Sequence, residues 1–408
     1  MPDAPPLPVP VAHQRILGDL EPLPGEWVSL EQGLGRSLVE SVIATRTQPP
    51  WDNSAMDGYA VRSEDIQGPP VVLAVVDVVH AGGTPRKAVG RGQAVRIMTG
   101  APMPPGADAV VIQERTTALA GEGLGRVEVQ QAVAPRANVR EAGEDARAGD
   151  VLLEAESALG IPELALLSGQ GFSSVLVPRR PRVAILATGD ELCRPDEPPE
   201  GRIVDTNSLA LALGVRRAGG IPTLLGIARD RPGEVEARLT EALEHDVVLT
   251  SAGASVGERD FVRPALHQLG VTMDFWKVAI KPGKPLAFGR RGRTRVFALP
   301  GNPTSALVTF ELFVRPALLR LLGWRQPLPL PVRGRSSTDL KKSAGLAHFV
   351  RVTTTWREGE LWAEPLATQT SGAVRSAASA THLLHFPMDA MNLRAGEPVE
   401  LIPVSWGA

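Results

Sequence analysis

The residues of this 408-residue chain that could do chemistry are carboxylates and lysines set in turn-forming company. They fall in stretches that each follow a short apolar run: Thr188 to Glu191, Arg229-Asp230, Ser251 to Asp260, and Pro300-Gly-Asn-Pro303. The runs before them, Val183–Thr188, Thr223–Ile227, Val247–Thr250 and Val296–Leu299, read as buried strands alternating with helices. In an open parallel sheet, ligands bind outside the carboxyl ends of the strands, so these loops are expected along one crest. Small residues, among them Gly253, Ser255 and Gly257, let backbone amides approach an anion. Asn302 before Pro303 opens a helix whose first amides face outward. A plain helix cap would explain Asn302 equally well.

The charges narrow the ligand class. Asp190, Glu191, Asp230, Glu258 and Asp260 are expected beside Lys277, Lys281 and Lys284. Clustered carboxylates alone would repel one another and any phosphate. Together with lysines they suit a phosphorylated or oxyanionic ligand bridged by a hard divalent cation such as magnesium. The bland alternative is a set of solvated surface ion pairs, worth little for stability. No Walker lysine motif, kinase signature or Gly-x-Ser-x-Gly elbow occurs, so metal-assisted phosphoanhydride cleavage is expected rather than covalent hydrolysis.

The elements that must position these residues follow from pattern. Short helices are predicted at Val11–Leu20 and Glu31–Glu40, and β-rich runs fill Val71 to Val133. An α/β region ends in a helix from Pro303 to Leu322 that Pro316 should kink. Pro327, Pro329 and Pro331 mark a linker to a tail that reads as a small β-barrel. The expected fold class is multidomain α/β and β: a central doubly wound, mostly parallel α/β domain, a β-rich inserted domain, a small linking domain and a C-terminal barrel. A net charge of −2 argues against nucleic acid or an anionic membrane as partner. The single cysteine, Cys193, excludes an internal disulfide and reads as a structural thiol. No signal-like run or long apolar stretch is seen, so a cytoplasmic protein is expected.

One segment resists every periodic reading: Pro49-Pro-Trp-Asp-Asn-Ser-Ala-Met-Asp-Gly-Tyr-Ala60. With Ile97 to Val111, Asn138-Val-Arg-Glu-Ala-Gly-Glu-Asp145, Thr188 to Leu192, Lys281-Pro-Gly-Lys-Pro285 and Leu299 to Pro303, it makes the chain resemble the molybdopterin molybdenumtransferase family. These are the MoeA-like proteins that share a core with the gephyrin E domain, and the resemblance spans nearly the whole chain.

The resemblance implies a homodimer of four-domain subunits whose active sites draw on both chains. The corresponding domains would be residues 1–48 with 134–178, 49–133, 179–326 and 327–408. It implies insertion of molybdenum from molybdate into adenylylated molybdopterin, with release of AMP. Functional acids would be Asp57, Asp145, Glu191, Asp230 and Asp260; ligand contacts would include Arg140, Lys277, Lys281, Arg351 and Ser371. Magnesium, with zinc as a conceivable substitute, is expected on some of Glu191, Asp230 and Asp260, and Thr188, Pro300 and Pro303 belong to the substrate loops. A molybdopterin adenylyltransferase and molybdoenzymes are the expected partners. A catalytically silent scaffold and the preceding adenylylation step are the rival functions. Where the family usually reads Ser-Gly-Gly-Val-Ser-Val-Gly, this chain has Ala252 and Ala254, and a methyl group at 252 is expected either to narrow the close approach of backbone to ligand or to oppose a positive φ.

Overall fold

A computed structural model describes residues 4–120, 123–252 and 261–406. The chain forms two compact units, one of residues 1–39, 156–161 and 174–408, the other of residues 40–155 and 162–173.

In the first unit, β1 (Arg182–Thr188), α1 (Asn207–Arg217), β2 (Ile221–Ala228), α2 (Pro232–Ala242) and β3 (Val247–Ser251) alternate as expected. They are followed by α3 (Val262–Gln268), β4 (Thr272–Phe275), β5 (Ala287–Arg291), β6 (Thr294–Leu299) and α4 (Pro303–Thr309). The sheet order is β2-β1-β3-β6-β5-β4, with its first four strands parallel and the last two antiparallel at the edge. Strand alternation explains why β1 is apolar throughout. Val183 and Ile185 pack with Leu211, Val215 and Phe313 on one face. Ala184 and Leu186 pack with Val235, Leu239 and Leu266 on the other. A strand covered on both sides has no solvent-facing set to make polar. Burying Phe297 or Phe313, both 0% exposed, contributes about 1.5–3 kcal/mol each.

The long terminal helix is not simply kinked. Between α4 and the helix Arg315–Leu321 lies a π-helical turn, Phe310–Val314, just ahead of Pro316. Proline donates no N–H to the turn before it, and a widened turn accommodates the loss. The tail closes as a barrel of five strands, in the order Ala347–Arg357, Glu360–Pro365, Val332–Ser336, Pro398–Pro403 and His382–Phe386, the last pairing back onto the first. Closure leaves no free edge among these strands. The basic run Arg290–Arg295 is a hairpin tip, yet Arg295 is buried and donates to the carbonyls of Gly292, Arg293 and Asp19.

The expected helix at Glu31–Glu40 is a correction: only Leu30–Gly33 is helical. Gly35 turns to φ +72°, and Leu38 exchanges backbone hydrogen bonds with Ser157 and Glu156 instead.

The second unit holds a six-stranded sheet in which Gly58–Val61 runs between Ala109–Ile112 and Gln93–Ile97. Tyr59 and Val61 face one core and Ala60 the other. At Gly58 a side chain is excluded, since a Cβ would lie 2.0 Å from the Val111 carbonyl oxygen.

Candidate active site

In the first unit the loops gather at the carboxyl ends of the parallel strands. Asp190 and Asp230 each accept a long hydrogen bond from the other's backbone N–H, at 3.3 and 3.4 Å. The Arg229 guanidinium donates to the carbonyls of Asp190 and Leu192, tying the loops after β1 and β2 together. Glu191 is exposed on the same loop, and Thr188 is buried at its root. Between β3 and β6, Ala252 donates to the Leu299 carbonyl while its own carbonyl accepts from Thr250 Oγ1. Ala252 sits at φ +96°, so the alanine does adopt the conformation its methyl group was expected to oppose. Gly253, Ser255, Gly257 and Asp260, with Ala254 and Glu258, lie outside the described residues.

Asn302 is exposed and its side chain caps nothing, which removes the plain-cap explanation for it. Pro303 occupies the first helical position after Pro300 and Gly301. At this helix start, Thr304 N–H donates to the Ser371 carbonyl and Thr304 Oγ1 to that of Ala373, bringing a loop of the C-terminal region onto the crest.

A groove of ≈ 660 Å³ opens beside that junction, lined by Lys281, Lys284, Ser305, Gln369, Thr370 and Ser371 among others. Its lysines stand on a tight loop closed by the Val278 N–H to Lys284 carbonyl bond. Gly283 holds φ +107°, and a Cβ there would meet Thr309 Cγ2 at 2.5 Å. Only glycine lets this loop lie on the helix while presenting both ammonium groups. Lys277 lines a different hollow, of ≈ 790 Å³, with Arg263 and Trp276. Arg351 is 0% exposed and does not line the lysine groove; its guanidinium donates to the carbonyls of Thr368 and Thr370. Burial pushes that guanidinium below its ordinary range. Its place is behind the 368–371 loop, holding it. His348, in register with Lys281, is pushed down to about 4 by burial and then by repulsion from Lys281 and Lys342. Burial is the larger cause of this low value, and the positive charges of Lys281 and Lys342 add to it.

In the second unit, residues 49–57 and 138–146 are knitted together. Arg140 pairs with Asn53 in a two-stranded ladder, Gly143 N–H donates to the Pro49 carbonyl, and the Asp52 carboxylate takes Arg136 and the Ala142 N–H. Asp57, Arg140 and Asp145 are exposed on this unit. The Asp57 carboxylate accepts from both the N–H and the hydroxyl of Thr99, which hold it below the usual carboxylate range. Thr99 went unremarked in the sequence reading, although it lies inside a quoted motif. Ser305 and Asn207 were missed too, because a polar residue in a helical pattern carries no local sign of where its side chain points.

The described carboxylates have the hard oxygen chemistry a divalent cation prefers. Among the described residues, however, no three His, Cys, Asp or Glu side chains are arranged to hold a metal, so no step is routed through one here. Nor is any helix among them long and apolar enough to cross a membrane.

The crest of an open α/β sheet, joined to a β-barrel by a basic groove, defines a molybdopterin-binding class of protein when set beside known families. Residues 184–320 match a probable molybdopterin binding domain, residues 7–171 the MoeA N-terminal region and residues 333–404 the MoeA C-terminal region. The molybdopterin molybdenumtransferase of Haemophilus influenzae is 36% identical over 397 residues, covering 96% of this chain and 97% of that protein. The one from Nostoc is 41% identical over 328 residues, covering 77% and 74%. The molybdopterin biosynthesis protein MoeA of Pyrococcus horikoshii OT3 superposes with a TM-score of 0.84 at 31% identity, covering 98% of this chain and 100% of that one. The chain belongs to the molybdopterin molybdenumtransferase family of enzymes.

Proposed function

We propose that this enzyme inserts molybdenum from molybdate into adenylylated molybdopterin and releases AMP. The observation that carries the reading is the groove where Lys281 and Lys284 face Ser305 and Ser371 beside the Asn302 helix start. Two ammonium groups and two hydroxyl-bearing residues suit a tetrahedral dianion. The crest amides around Gly301 and Asn302 then take the diphosphate of the pterin nucleotide. Lys281 neutralises oxyanion charge as the two dithiol sulfurs bond to molybdenum, their protons leaving with one molybdate oxygen as water, and a second water cleaves the phosphoanhydride to give AMP and the molybdenum-bearing pterin phosphate. A magnesium ion, where bound, would be held by Glu191, Asp230 and Asp260 and would neutralise phosphate charge.

The same reading has a homodimer in which Asp57, Arg140 and Asp145 of one subunit complete the crest of its partner. It also has the four domain boundaries set out from the sequence, a cytoplasmic setting, and exchange with a molybdopterin adenylyltransferase and molybdoenzymes. The test is AMP release from adenylylated molybdopterin with magnesium and varied molybdate, for wild type and Lys281→Met. Wild type should release AMP only with molybdate. The variant should need at least tenfold more molybdate for the same rate. Molybdate-independent AMP release, or an unchanged molybdate requirement in the variant, would refute the assignment.

A further inference from the structure

A second concentration of charge lies where β1 and β2 begin, at the end of the α/β sheet away from the crest. Arg182 opens β1 and pairs with Ile221, the first residue of β2. The strand is 7 residues long, which sets its start about 20 Å from the crest loops. A hollow of ≈ 540 Å³ opens there, lined by Arg36, Arg179, Arg180 and Arg182 together with the apolar side chains of Val28 and Ile221.

Two of the four arginines are matched by acids. Arg179 grips the Asp246 carboxylate through both terminal nitrogens, each at 2.7 Å. Arg36, only 4% exposed, donates to Glu26 at 2.9 Å and to the Pro178 carbonyl, and its buried Nε keeps no hydrogen-bond partner. Arg180 and Arg182 are different. Both are exposed, and among the described residues neither guanidinium donates a hydrogen bond or forms an ion pair. Asp246 accepts from the Arg182 backbone N–H and attracts its side chain only at longer range. Pro181 between them is buried, so the two flanking side chains emerge into the same hollow.

We infer that this hollow is a binding site for a phosphate dianion, free or borne by a small phosphomonoester, held by Arg180 and Arg182 beside the fixed Arg36 and Arg179. Guanidinium forks match phosphate oxygens in pairs, and here two of them stand unpaired against neighbours already anchored. Val28 and Ile221 offer apolar surface to the body of an ester. Glu26 on the rim would repel the ligand if Arg36 did not take up its charge. Solvated surface arginines would explain the charge alone, but not its convergence on a concave, partly apolar wall. With a net charge of −2 on the whole chain, the positive charge does not spread into a nucleic-acid surface. The site is separate from the catalytic crest.

The experiment uses full-length protein labelled with ¹³C at isoleucine δ-methyl groups. Ile221 lines the arginine hollow and Ile280 the lysine groove, so each methyl reports one site. Inorganic phosphate and AMP are titrated in turn, against chloride at matched ionic strength. The proteins are wild type, the double variant Arg180→Gln with Arg182→Gln, and Lys281→Met. In wild type the Ile221 methyl should shift saturably with a midpoint on the order of 1 mM, the affinity that two or three charge-assisted bonds supply. The double variant should raise that midpoint about tenfold or more and leave the Ile280 response unchanged. Lys281→Met should do the converse. Both replaced arginines are exposed, and an unmoved methyl at Ile185, 0% exposed in β1, checks the fold. A response to phosphate alone supports a bare dianion site, and a response to AMP only supports one that also takes the ester body. An equal shift with chloride, or an unchanged midpoint in the double variant, would overturn the inference. So would a still Ile221 methyl at about tenfold the expected midpoint.

Discussion

Ala252→Gly offers the sharpest test, because opposite signs are expected from opposite conformations. The alanine stands at φ +96° in a turn fixed at both ends, by Ala252 N–H to Leu299 and by Thr250 Oγ1 to the Ala252 carbonyl. It cannot relax without breaking one of these. A side chain in the left-handed region costs about 1–2 kcal/mol. Glycine relieves that strain, and its greater freedom in the unfolded chain offsets about 0.4–1 kcal/mol of the gain. Ala252 is only half-buried, so the methyl group being lost forfeits little burial. The net is a stabilisation of about 0.5–1 kcal/mol, or a melting temperature raised by about 1–4 °C for a domain of this order. Differential scanning calorimetry of wild type, Ala252→Gly and Ala252→Val would measure it, with the valine variant below wild type. A lower melting temperature for the glycine variant would refute the argument, since glycine destabilises wherever φ is ordinary.

Two further outcomes follow from the geometry. Gly58→Ala should destabilise the second unit by about 3 kcal/mol, because its Cβ would fall 2.0 Å from the Val111 carbonyl oxygen in the middle of a sheet. The chain's only tyrosine, Tyr59, gives that unit a private probe: in protein labelled at tyrosine alone, the Tyr59 resonance should melt earlier than in wild type. His348 should titrate near pH 4 by NMR, and Lys281→Met should move the midpoint up, since repulsion from Lys281 is one cause of the low value. The unfolded chain binds the His348 proton near 6.5, so this group's contribution to stability is present above that pH and is lost as pH falls through about 4. A titration near 6.5 in the folded protein would contradict the burial and the lysine repulsion that set the low value.

Much of the architecture was legible from the sequence. Runs such as Val183–Thr188 and Val247–Thr250 could only be strands covered on both faces, and Gly219, at φ +90°, follows the C-cap of α1 in the left-handed conformation that glycine takes most easily. The β-rich segments and the barrel strands carried the same strong period. The failures sit where local pattern competes with distant partners. Glu31–Glu40 looks amphipathic, yet beyond Gly33 its backbone groups find better partners at residues 156–159. The last helix widens to a π turn ahead of Pro316 rather than only bending there, and its buried Glu311 accepts a hydrogen bond from Ser405.

The site divides along the same line. Residue type and loop chemistry were enough to single out Asp230, Lys281 and Asn302, since carboxylates, lysines and glycine-proline turns declare themselves locally, whereas Asp57 and Ser371 were named through the family resemblance. Orientation was not. Arg351, expected as a ligand contact, is buried behind its loop; Asn207 and Thr99 went unremarked, yet one points into the crest and the other holds Asp57. A side chain's chemistry is written in its own letter, but its direction is set by what packs around it, and those neighbours lie 17 to 94 residues away in sequence.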